Sequence, residues 1–192
     1  DLVAASFGRG FYIVDDYSPI REYSRQIDQK PAHLFSVKST YQYVVAAPEK
    51  TATGHNFFTS PNPPYGIKLS YYLGNSLLSK FEERQNNESN KFNRGETIDY
   101  PSAKKLEDEA KEKTPKIYLT ISDSQGNVVR RINTNKNRGY HEKYWDLRTY
   151  SQRNIDDENN YSGPLVPPGK YSVHIEKFED DKLEKLTESY SF

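Results

Sequence analysis

A two-residue alternation of apolar and polar side chains constrains this chain more than any other feature. Between residues 66 and 74, Ile67, Leu69, Tyr71 and Leu73 fall on one side, and Lys68, Ser70 and Tyr72 on the other. The same period returns at Ile117, Leu119 and Ile121, and again at Tyr171, Val173 and Ile175. Successive side chains of an extended strand point to opposite faces, so each segment buries one face and offers the other outward. The run from Lys116 turns at residues 123–126, where Asp and Gly supply the turn conformations, and resumes over residues 128–132. The only tryptophan, Trp145, lies in a further strand, YHEKYWDLR, and a last strand is expected over residues 186–192. Short alternating strands separated by turns predict an all-β fold, an immunoglobulin or fibronectin III-like β-sandwich spanning residues 62–192.

A polar stretch over residues 79–115 interrupts that pattern and is expected to be a helical insert. Residues 79–93 are charged and rich in Asn. Ser102 is placed to cap a helix whose Ala103, Leu106 and Ala110 share a face, and Pro115 stops it. At the other end, residues 1–16 form two apolar runs around Phe7-Gly8-Arg9-Gly10, which predicts a β-hairpin. A lone two-stranded hairpin is marginal in water, so this one is expected to pair with strands elsewhere. Residues 17–61 carry Pro19, Pro31, Pro48 and Pro61 and read as a linker. Within it a short helix is expected near residues 18–23 and an extended stretch over residues 33–45. The chain opens on Asp-Leu-Val and stops inside an expected strand, so both ends are read as cut from a longer polypeptide.

Composition removes several function classes. Lys plus Arg and Asp plus Glu each total 27, a formal net charge of zero. Binding nucleic acid or an anionic membrane through charge needs a basic excess that is absent here. No apolar run approaches the length of a membrane span. The absence of cysteine removes disulfides, zinc-thiolate sites and thiol nucleophiles. The 16 Tyr and 9 Phe supply bulky apolar area suited to strands.

Residues able to carry chemistry do not assemble into a constellation in the sequence. His33, His55, His141 and His174 are widely spaced, and His141-Glu142 lacks the second histidine of a zincin helix. No catalytic, cofactor or metal site is expected. The acidic runs Asp15-Asp16, Asp156-Asp157-Glu158 and Glu179-Asp180-Asp181 are neighbours in sequence, whereas a glycosidase needs carboxyls facing each other across a sugar. Clustered oxygens at residues 156–158 suit calcium chemically, but EF-hand spacing is missing and a solvated loop is the preferred reading. Gly8-Arg9-Gly10 lacks the Lys-Ser/Thr ending of a phosphate loop, and the Asn-x-Ser patterns at Asn87 and Asn160 are short. Aromatic side chains could stack on a glycan or anchor a protein, and Tyr65, Tyr72 and Tyr144 are the candidates for such contacts. Trp145 is expected in the core.

Several ordered motifs carry a family resemblance. The opening DLVAASFGRGFYIVDDYSPIRE resembles the sequence that closes the last blade of bacterial BNR/Asp-box, sortilin-like β-propeller proteins, often described as glycosyl hydrolase-like. NPPYGIKLSYYL, ISDSQGNVVRRI, YHEKYWDLR and GPLVPPGKYSV resemble, in order, the domain that follows the propeller, and the last three are similar to the FlgD-like immunoglobulin fold. The resemblance implies propeller exit strands at residues 1–16, a linker, and a sandwich that acts as a non-catalytic C-terminal accessory domain. It implies an upstream propeller as partner within the same polypeptide, and secretion or a cell-envelope location. Carbohydrate binding is the first alternative, and a share in a glycoside hydrolase whose catalytic residues lie in the propeller is the second.

Overall fold

The computed structural model describes residues 1–8, 10–43, 64–150 and 162–192. Arg9, His55, most of the Pro-rich stretch, the acidic residues 156–158 and Asn160 lie outside the described residues. Antiparallel strands dominate, with only three α-helices among the described residues. Among the described residues, the first strands, β1 (Leu2–Ser6) and β2 (Gly10–Val14), pair only with each other. They are followed by the short helix α1 (Ser18–Glu22), a 3₁₀ turn at Ile27–Gln29 and strand β3 (Ala32–Leu34).

Strand β4 (Ile67–Leu73) lies between β3 and β7 (Gly139–Trp145) in a three-stranded sheet. The second sheet runs β6 (Val128–Thr134), β5 (Lys116–Ser122), β10 (Ser172–Glu179), β11 (Lys182–Lys185), with β12 (Tyr190–Ser191) also pairing with β10. Between the sheets lies one shared core. Ile67, Leu69, Tyr71, Leu73 and Trp145 from the first meet Ile117, Leu119, Ile121, Val173 and Ile175 from the second. These are the positions that the alternation assigns inward, so the two sheets face each other as in a sandwich. A small ribbon, β8 (Arg148–Tyr150) with β9 (Ser162–Leu165), follows β7.

The insert between β4 and β5 holds two helices rather than one. Helix α2 (Lys80–Asn93) starts with a full capping box, in which Ser79 accepts from the Glu82 N–H and the Glu82 carboxylate accepts from the Ser79 N–H. Helix α3 (Ala103–Lys111) is capped by Ser102 as expected. Neither helix buries a residue, and they are tied by Arg84, which donates through Nε and Nη2 to both oxygens of Glu109 at 2.7 and 2.8 Å.

Three further expectations meet a different structure. The sheet begins before residue 62, because β3 lies inside the expected linker and pairs with β4 through His33↔Tyr72, while Ala32, Leu34 and Val37 join the core. The strand expected over residues 186–192 is reduced to β12, and an additional strand, β11, precedes it, because Asp180 and Asp181 adopt φ of 48° and 61° and turn the chain back along β10. Trp145 and Leu147 are both inward, but Leu147 has φ 59° and the strand breaks there. Asp146 accordingly accepts the Arg148 N–H and lies 3.8 Å from Arg130 on β6, while the Arg148 guanidinium donates to the Gly163 carbonyl. The strand expected over YHEKYWDLR is therefore interrupted at residues 146–147.

Candidate functional site

Among the described residues, the N-terminal hairpin exposes apolar side chains on both of its faces. Cross-strand pairs share a face, so Leu2, Ala4, Tyr12 and Val14 lie on one side and Val3, Ala5, Phe11 and Ile13 on the other. Neither strand carries a charge, and both faces are apolar. Yet every residue of both strands is exposed: Leu2 by 52%, Val3 by 59%, Phe11 by 77% and Ile13 by 63%. Phe7, at the tip, is fully exposed. An alternating strand at a protein surface turns one apolar face inward and one polar face outward. This hairpin has two apolar faces, the composition of strands covered on both sides.

The root of the hairpin is held firmly. The Asp16 carboxylate accepts from Lys38 Nζ at 2.7 Å and from the Ser18 N–H at 3.1 Å. Partial burial opposes its ionisation, but the bonds from Lys38 and Ser18 prevail and hold its pKa at about 2. Glu22, at the end of α1, accepts from the N–H and hydroxyl of Ser36 at 2.9 and 2.8 Å and lies 3.2 Å from His33 Nε2. Its pKa is also lowered; burial works against this, and the Ser36 and His33 bonds outweigh it.

The three tyrosines expected to contact a ligand fall in separate settings. Tyr72 is buried with Ile27 and Phe35, because the chain before β3 folds over the outer face of β4. Tyr144 lies on that same outer face, half-buried, opposite Lys68. Tyr65 packs against the core with its ring edge-on to Tyr43, and its hydroxyl is buried without a partner. They form no common flat platform. Trp145 and Tyr71, the largest aromatics of the core, are fully buried.

Sequence reasoning did not single out Tyr140, which is half exposed beside them. Its hydroxyl donates to Glu142 at 2.5 Å and accepts from the Ser70 hydroxyl at 3.1 Å, and Lys68 lies 2.6 Å from Glu142. Burial and the Glu142 carboxylate push the phenol up to about 12. The opposite sheet carries a polar network on its own outer face. Glu176 accepts from Thr120 Oγ1 and from Arg131 Nε at 3.0 Å, and lies 3.1 Å from His174 Nε2. These bonds lower the Glu176 pKa against the effect of burial. Among the described residues, no group of three His, Asp or Glu side chains could hold a metal ion, and no helix is long and apolar enough to cross a membrane. Comparison with known proteins adds no relative: no protein family, no curated protein and no solved structure matches the chain.

Proposed function

We propose that this chain is a non-catalytic accessory domain whose N-terminal hairpin completes a β-sheet outside residues 17–192. On this reading the sheet belongs to a β-propeller of the same polypeptide, and the remainder is an immunoglobulin-like sandwich that stabilises or presents it. The single observation that carries the reading is the hairpin with two apolar faces, both exposed. Blades of a propeller stack face to face, so strands in a blade are covered on both sides. The resemblance of residues 1–22 to a propeller exit points the same way, as does the resemblance of the later motifs to FlgD-like domains. A secreted or cell-envelope location belongs to the same proposal.

The carbohydrate-binding alternative has less support, since stacking on a sugar needs coplanar exposed rings and Tyr72, Tyr71 and Trp145 are buried. The test is to replace Phe11 and Ile13 by Asp in the polypeptide that includes the residues upstream of Asp1. The proposal expects the upstream part to become sensitive to protease while the sandwich stays resistant. Unchanged resistance of the upstream part would count against it.

A further inference from the structure

A cleft of about 340 Å³ opens between β3 and the chain that links β11 to β12. Pro31, Ala32 and Leu34 line one wall, Leu186 and Tyr190 line the other, and the lining is mainly apolar. The first wall is a strand edge. The Phe35 N–H donates to the Ser70 carbonyl and the Pro31 carbonyl accepts from the Gly74 N–H, both at 3.0 Å, so residues 31, 33 and 35 turn their backbone groups toward β4. Ala32 and Leu34 therefore turn their N–H and C=O groups the other way, and among the described residues no strand pairs along that side. Their side chains belong to the core, so what they offer the cleft is backbone. The second wall is an arch in an edge strand. Between the pairs Glu176↔Lys185 and Val173↔Tyr190, residues 174–175 of β10 stand opposite the longer segment 186–189. The arch is pinned in place. The Leu186 N–H donates to the Ile175 carbonyl at 2.8 Å, and the Ile175 N–H donates to the Thr187 hydroxyl at 3.0 Å in place of a backbone carbonyl. Lys185 Nζ closes it with a 3.0 Å bond to the Ser189 hydroxyl.

We propose that this cleft takes an extended peptide segment of another protein, which adds to β3 as an edge strand. A strand edge that alternates N–H and C=O groups is matched by a second extended backbone, and the apolar lining supplies contacts for every other side chain of that segment. A small apolar ligand could fill the space, but it would leave the backbone groups of Ala32 and Leu34 unmatched. Charge narrows the peptide further. Among the described residues Lys30 has no ion pair and Lys185 bonds only a hydroxyl, against one rim carboxylate, Glu188. An acidic side chain beside alternating apolar ones suits that balance. The hairpin takes no part in this binding, so the proposal does not depend on what the hairpin joins.

The test selects short random peptides, displayed on phage, against the chain carrying Phe11→Asp and Ile13→Asp, so that the apolar hairpin does not capture them. The selected peptides should place apolar residues at every second position and carry an acidic residue. Hydrogen exchange with a selected peptide bound should slow the amides of Ala32 and Leu34 about tenfold and leave those of residues 2–14 unchanged. N-methylation of one set of alternate peptide amides should weaken binding about tenfold, and N-methylation of the other set should weaken it far less. Lys30→Glu should weaken it about threefold. A selection that enriches no peptide overturns the proposal. So do peptides that slow exchange elsewhere than at Ala32 and Leu34, and peptides whose two N-methylated forms bind alike.

Discussion

Trp145 shows how one side chain can set several features at once. Its ring is fully buried between the sheets, edge-on to Tyr171 at 5.5 Å and near Phe192, and its indole N–H donates to the Arg148 carbonyl at 2.9 Å. Replacing it with Ala removes the largest core side chain and frees that carbonyl, a loss of about 3–5 kcal/mol by the scale of buried aromatic truncations. Urea unfolding followed by circular dichroism would measure it. Gly66 is constrained by the same residue: with φ 116°, an added Cβ would lie 1.9 Å from the Trp145 carbonyl oxygen. Gly66→Ala should therefore destabilise the chain by more than the ~1 kcal/mol of an ordinary Gly change, as the backbone must move. Asp16 makes a pH prediction. Its folded pKa lies below its unfolded value of 3.8, so its contribution is complete above about pH 4 and is lost as pH falls toward about 2. In Asp16→Asn, unfolding midpoints followed across that window should lose part of their dependence on pH. An unchanged slope would show that Asp16 contributes nothing there.

The elements differ in how far they could be read in advance, and the reason is physical in each case. Strands β4, β5 and β10 were legible because they lie over a core, which forces the two-residue alternation, and the β5–β6 turn was legible from Asp123 and Gly126. Helix α2 was not, because it buries no residue and so has no apolar stripe; the Ser79-x-x-Glu82 spacing was the signal that could have found it. Strand β3 was legible only as part of an extended stretch in the linker, because three residues beside Pro31 carry too little pattern to assign them to the sheet. The turn at Asp180-Asp181 and the break at Leu147 lack the glycine that usually marks a positive φ. The helical insert meets the sheets through surface ion pairs of Glu82 with Lys136, Lys80 with Asp180 and Lys113 with Asp181 and buries no helical residue against them, so its stability should be only weakly coupled to theirs. Ser79→Ala removes the capping box and should cost α2 about 1 kcal/mol. The expected sign is a loss of helical ellipticity with little change in Trp145 emission on heating; a matching fall in both would show that the insert supports the core.

At the scale of the whole molecule, the sandwich satisfies its own apolar faces and the hairpin does not. Of the candidate site, its place in the sequence was visible: two uncharged runs around a glycine turn, with nothing nearby to pair them. The contacts of Asp16 and Glu22 just after the hairpin were not visible, because Asp16, Glu22, Ser36 and Lys38 meet only once α1 folds back on the segment after β3. The burial of Tyr72 was not visible for the same reason, since Ile27 and Phe35 reach it only after that fold-back. The account stands or falls on whether residues 2–14 acquire a partner. Hydrogen exchange, compared between this chain and a polypeptide that extends upstream of Asp1, measures that directly. The account predicts fast exchange of the hairpin amides here and protection close to that of β5 in the longer polypeptide. Equally fast exchange in both would contradict it.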